Sequence, residues 1–114
     1  MKKFFILGVL IGSVIFLSNC SASKKAASPR KLSYNTDLHS LIEQNCSPCH
    51  FPAKGGNKSA FDNYAAVKVN IDDMIKRIEL QPTDRGFMPF KGKKLSDSTI
   101  NAFKQWRADG ALEN

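Results

Sequence analysis

The chain is poor in cysteine, histidine and tryptophan: it has three cysteines, two histidines and one tryptophan in 114 residues. Three cysteines leave no second C-x-x-C pair, so the two-pair ligand set of a common structural zinc site is not present. Sustained apolar and polar alternation is missing throughout, which argues against strands and against a βαβ setting. No internal repeat is visible, and no apolar run reaches the about 20 residues that a permanent membrane helix needs. Acidic residues are also short, 10 Asp and Glu against 17 Lys and Arg, for a net charge of +7. The basic residues lack the aromatic interleaving of a nucleic-acid reader, so no nucleic-acid partner is expected. Length allows one small domain at most.

What is present begins with a signal. Met1-Lys2-Lys3 is a basic head, Phe4 to Leu17 an apolar run, and Ser18-Asn19-Cys20 follows. This order reads as a secretory signal. The segment LSNC, ending at Cys20, resembles a bacterial lipobox, which implies lipidation of Cys20 as the first mature residue. Ordinary cleavage after Ala22 or Ser23 is the alternative. The expected division is a signal peptide over 1–19, a lipid-anchored flexible linker over 20–33, and one domain over 34–114. Loss of Lys2 and Lys3 with the signal leaves a net charge of about +5.

Helical patterns dominate the remainder. Asn35 or Thr36 is the expected cap of a first helix, with Leu38, Leu41 and Ile42 on one face, running into Cys46. Residues 61 to 69 suggest a short helix, and Asn70 is expected to cap a separate one bearing Ile71, Met74, Ile75 and Ile78. Two prolines and two glycines make residues 81 to 94 an irregular loop. Ser96 is the expected cap of a last helix carrying Ile100, Phe103 and Trp106, which ends at Gly110. The fold class is all-α, with three to four helices and long loops. So small a set of helices would have a meagre core without something else to fill it.

The stretch QNCSPCHFPAKGG holds the chemistry. Cys46, Cys49 and His50 form C-x-x-C-H, the spacing for covalent haem attachment, although C-x-x-C alone also suits a redox disulfide or half a zinc site. Two thiols so placed can each add to a haem vinyl group, and the adjacent His50 then becomes the proximal iron ligand. Met88, in the loop segment RGFMPF, is the expected distal ligand, presented by a turn at Gly86 and stiffened by Pro89. Imidazole and thioether together raise the potential relative to two imidazoles and suit electron transfer. Met74 lies on a helix stripe and is expected in the core, while His39 is expected on the surface.

On CSPCH, on the Met88-Pro89 pair and on LSDSTINAFKQWRADGA, the chain resembles a small class I c-type cytochrome. The resemblance is to the monohaem kind found as bacterial lipoproteins, and it spans about residues 34 to 112. It implies a cytochrome c fold around one covalently bound haem c, and a crossing of the first and last helices that brings Leu38 and Ile42 to Phe103 and Trp106. Pro52, or a residue just beyond it, is a candidate to receive the second ring N–H of His50.

The implied protein is no enzyme but a single-electron carrier between exported or membrane-bound redox partners, acting as a monomer or as a subunit of a redox complex. Its expected place is the periplasmic side of a bacterial membrane, held there by lipid on Cys20. Arg85, Lys91, Lys93 and Lys94 flank the Met88 loop and suit an acidic docking partner. The alternative function is a haem domain whose sixth site is open or labile, acting in gas binding or sensing.

Overall fold

The computed structural model describes residues 29–114. The expected signal peptide, Cys20 and the linker up to residue 28 lie outside the described residues. Three α-helices are present and no strand among the described residues: α1 spans His39–Cys46, α2 Tyr64–Glu79 and α3 Asp97–Ala108. The expected all-α class is what the chain adopts.

A single π-helical turn, Tyr34–Leu38, leads into α1. Its start is capped neither by Asn35 nor by Thr36. Ser33 is the extended residue at the N-cap, and its N–H donates to Asp37 Oδ2 at 2.8 Å. Arg30 forks onto the same carboxylate at 2.7 and 2.9 Å. An Asp one turn inside the helix can accept from the N-cap amide by reaching back, which the sequence pattern did not distinguish from a forward cap.

The second helix is one element where two were expected. Asn63 caps it, its side chain accepting from Ala66 N at 2.9 Å. Asn70 sits mid-helix, and its Nδ2 donates back to the Ala66 carbonyl at 2.8 Å. Nothing near residue 70 breaks a helix: there is no Gly or Pro, and Val67, Ile71, Met74, Ile75 and Ile78 form one continuous buried stripe. The third helix starts as expected, with Ser96 Oγ accepting from Thr99 N at 3.2 Å.

Trp106, Phe103, Leu38, Ile42 and Val67 are the largest fully buried side chains, drawn from all three helices and the π turn. The crossing with α3 is carried by the π turn, where Tyr34 lies 6.4 Å from the Trp106 ring centre. Tyr64 meets Trp106 edge-on at the same distance. The Leu112 carbonyl accepts both Tyr34 N–H and Trp106 Nε1–H, each at 2.8 Å. That one oxygen ties the start of the domain to its end, as does the bond from Leu32 N to Asp109 Oδ2 at 2.7 Å. The frame thus leaves the end of α1, the middle of α2 and the 81–94 loop free to enclose a space.

Candidate cofactor site

Helix α1 stops at Cys46 because Ser47 turns extended, at ψ 150°. The chain then folds back on itself: His50 N–H donates to the Cys46 carbonyl at 3.0 Å, and Phe51 N–H to that of Pro48 at 2.9 Å. Cys46, Cys49 and His50 are thereby held on one turn. A second strand of backbone supports it, with Lys58 N–H on the Cys49 carbonyl at 3.1 Å and Phe61 N–H on the His50 carbonyl at 2.9 Å. Gly56 permits this approach, since a Cβ there would overlap the carbonyl oxygens of Pro48 and Cys49.

The His50 ring is fixed from two sides. Its Nδ1 lies 2.6 Å from the Ser59 carbonyl, which can only accept, so Nδ1 carries a proton and, in the neutral ring, Nε2 is the nitrogen with the lone pair. Phe61 stacks on the ring at 4.3 Å with planes 6° apart. Pro52 is not the partner; its carbonyl accepts Gly55 N–H instead. Ser59 acts through its backbone, so its residue type carried no signal. The spacing of Phe61 did not reveal the stack either.

Met88 comes from the loop between α2 and α3. Gly86 has φ +94°, the left-handed turn expected of it. Met88 N–H then donates to the Arg77 carbonyl on α2 at 3.2 Å. Phe87 is buried, Met88 half-buried, and Phe90 is 74% exposed.

One cavity of about 580 Å³ is lined by Cys46, Cys49, His50 and Met88 together. Met74, Ile78, Phe61 and Phe103 supply apolar walls, and Asn70, Asp73 and Arg77 a polar edge. Volumes of roughly 300–1,000 Å³ with mostly apolar walls are typical of cofactor and small-molecule sites. Met74, read as a core residue, is buried among the core side chains but also reaches this wall. His39 does not line the cavity; it stands edge-on to Tyr34 at 5.6 Å.

Burial pushes the Cys46 thiol up to about 11. An attacking thiol in disulfide exchange needs the opposite shift, so Cys46 in this environment does not suit that role. Among the described residues no three His, Cys, Asp or Glu side chains come together as a structural zinc would require. The residues that line the cavity include two that carry thiols, one that carries an imidazole and two that carry thioethers, Met74 and Met88.

Arg85, Lys91 and Lys93 are exposed on the loop that carries Met88, with Lys91 Nζ 5.3 Å above the ring of Phe90, a residue of the cavity lining. Lys94 has a different task. Its Nζ donates to the Glu79 and Leu80 carbonyls, both at 2.6 Å, and so caps the C-terminus of α2. Among the described residues no helix is long and apolar enough to cross a membrane. No family model matches the chain, nor does any curated protein or solved structure.

Proposed function

We propose that this chain is a monohaem c-type cytochrome that carries single electrons between exported or membrane-bound redox partners. The observation that carries this reading is the convergence of four side chains on one apolar cavity from segments far apart in sequence: Cys46, Cys49, His50 and, 38 residues after His50, Met88. Cavity volume, apolar walls and the Nε2 lone pair of neutral His50 fit a covalently bound haem c. When bound, that group supplies an iron whose one-electron couple is raised by thioether and imidazole ligation relative to two imidazoles.

The chain's own residues have separate tasks in this reading. Cys46 and Cys49 would hold the haem through their sulfurs. His50, set in one orientation by Ser59 and Phe61, would offer its Nε2 to the iron. Met88 would offer its thioether. Ile78, Phe103 and Met74 would give the group apolar walls and so exclude water. Phe90 lines the cavity and is exposed, Lys91 Nζ lies 5.3 Å above its ring, and Arg85 and Lys93 are exposed on the same loop, a set of cations that suits an acidic redox partner. The remainder of the proposal rests on the sequence: export to the periplasmic side of a bacterial membrane, tethered by lipid on Cys20.

Carbon monoxide binding to the reduced, haem-loaded protein tests the ligand set. Wild type binds slowly because Met88 must first leave, and Met88→Ala binds at the rate of an open site. Met74→Leu and His39→Ala behave as wild type. Wild-type binding as fast as that of Met88→Ala would remove Met88 from the iron and put gas binding in place of electron transfer.

A further inference from the structure

The loop that carries Met88 has no regular structure, yet it is tied to α2 at Gly86, Met88 and Lys94. Lys94 fastens its far end to the Glu79 and Leu80 carbonyls. Nearer Met88, Arg77 makes the ties. Its carbonyl accepts Met88 N–H at 3.2 Å, and its Nη1 donates to the Gly86 carbonyl at 3.5 Å. Its Nε is held by Asp73 Oδ2 at 2.6 Å, one turn earlier on the same helix. Gly86 lies so close that a Cβ on it would come within 3.3 Å of Arg77 Nη1. Asp73, Arg77 and Met88 all line the cavity.

We propose that Arg77 is the positioning residue for Met88: its guanidinium, oriented by Asp73, holds Gly86 so that the loop delivers the Met88 thioether into the cavity. The proposal rests on Met88 being the distal ligand. An irregular loop gains conformational entropy when it opens. Each tether that survives in the closed state counters that gain. A surface ion pair of similar length on α2, Asp72 with Arg107 at 2.8 Å, reaches α3 and not this loop. It provides the control.

The experiment compares Arg77→Met, Arg77→Lys and Arg107→Met in haem-loaded protein by the far-red band of sulfur-ligated ferric iron and by the rate of carbon monoxide binding after reduction. Loss of one hydrogen bond from a charged donor shifts the loop equilibrium by about tenfold. Arg77→Met therefore weakens the band and speeds carbon monoxide binding by about that factor. Arg77→Lys moves in the same direction, because it keeps the charge but loses the fork. Arg107→Met matches wild type. Amide hydrogen exchange at Met88, which needs no iron signal, accelerates by about tenfold in Arg77→Met.

Wild-type band, carbon monoxide rate and Met88 exchange in Arg77→Met would overturn the proposal, as would equal effects from Arg107→Met. Absence of the far-red band in wild type would instead remove Met88 as ligand. The exchange rate would then decide alone whether Arg77 holds the loop.

Discussion

At the scale of single residues, the two tyrosines, Tyr34 in the core and Tyr64 packed against it, make opposite use of their hydroxyls. Tyr34 Oη is buried with no hydrogen-bond partner among the described residues, and burial, followed by the nearby Asp62 charge, raises its pKa. Tyr64 Oη donates to the Ala111 carbonyl at 3.0 Å. Removing an unpaired buried hydroxyl relieves a desolvation cost, whereas removing a bonded one leaves its acceptor short. Tyr34→Phe is therefore expected to melt at or above the wild-type temperature, and Tyr64→Phe below it, in parallel thermal scans. Asp37 carries a pH dependence of known sign. Arg30 first, and the Ser33 amide second, lower its carboxyl below the ordinary value of 3.8. A depressed carboxylate adds stability above its unfolded value and loses it as pH falls through the folded one. Asp37→Asn should lower the melting temperature at pH 7, and the difference from wild type should vanish in strong acid below that folded value.

Among the elements, those whose ends are marked by side-chain chemistry were the most legible. Ser96 was readable as a cap because a small polar residue precedes an amphipathic run. Ser96→Ala is expected to cost about 1 kcal/mol of unfolding free energy, measured by denaturant titration. Asn63 and Asn70 show the limit of that reasoning. Both are Asn ahead of apolar residues, and only the absence of a break at Val69 and Asn70 tells that the first is the cap and the second donates inside the helix. The motif turn was legible in its cysteines and histidine, and Met88 in its flanking Gly86 and Pro89. Their supports were not, because Ser59 and the Arg77 carbonyl act through backbone atoms whose positions depend on how distant segments pack. The bond of Lys94 to the end of α2 was hidden for a related reason: a loop lysine looks like a surface charge until the end of α2 is seen beside it. Gly56 belongs with these hidden supports. Gly56→Ala is expected to force the 56–61 segment off the motif turn, read as faster amide exchange at Lys58 and Phe61.

For the molecule as a whole, the cavity bears on the energetics. A partly open cavity of about 580 Å³ leaves its apolar walls against water instead of against a packed partner, a weakness in a small domain whose net stability is roughly 5–15 kcal/mol. An occupant that covers those walls would therefore add to the stability of the fold as well as serve the proposed function. Without haem the domain is expected to melt without a cooperative transition. The central claim is tested most directly by an absorption spectrum of the exported protein, made in cells with c-haem maturation and recorded before and after acid extraction. The account predicts haem that stays on the polypeptide, with the weak far-red band of sulfur-ligated ferric iron in the unextracted protein. Haem that leaves on extraction, or none bound despite working maturation, would contradict it.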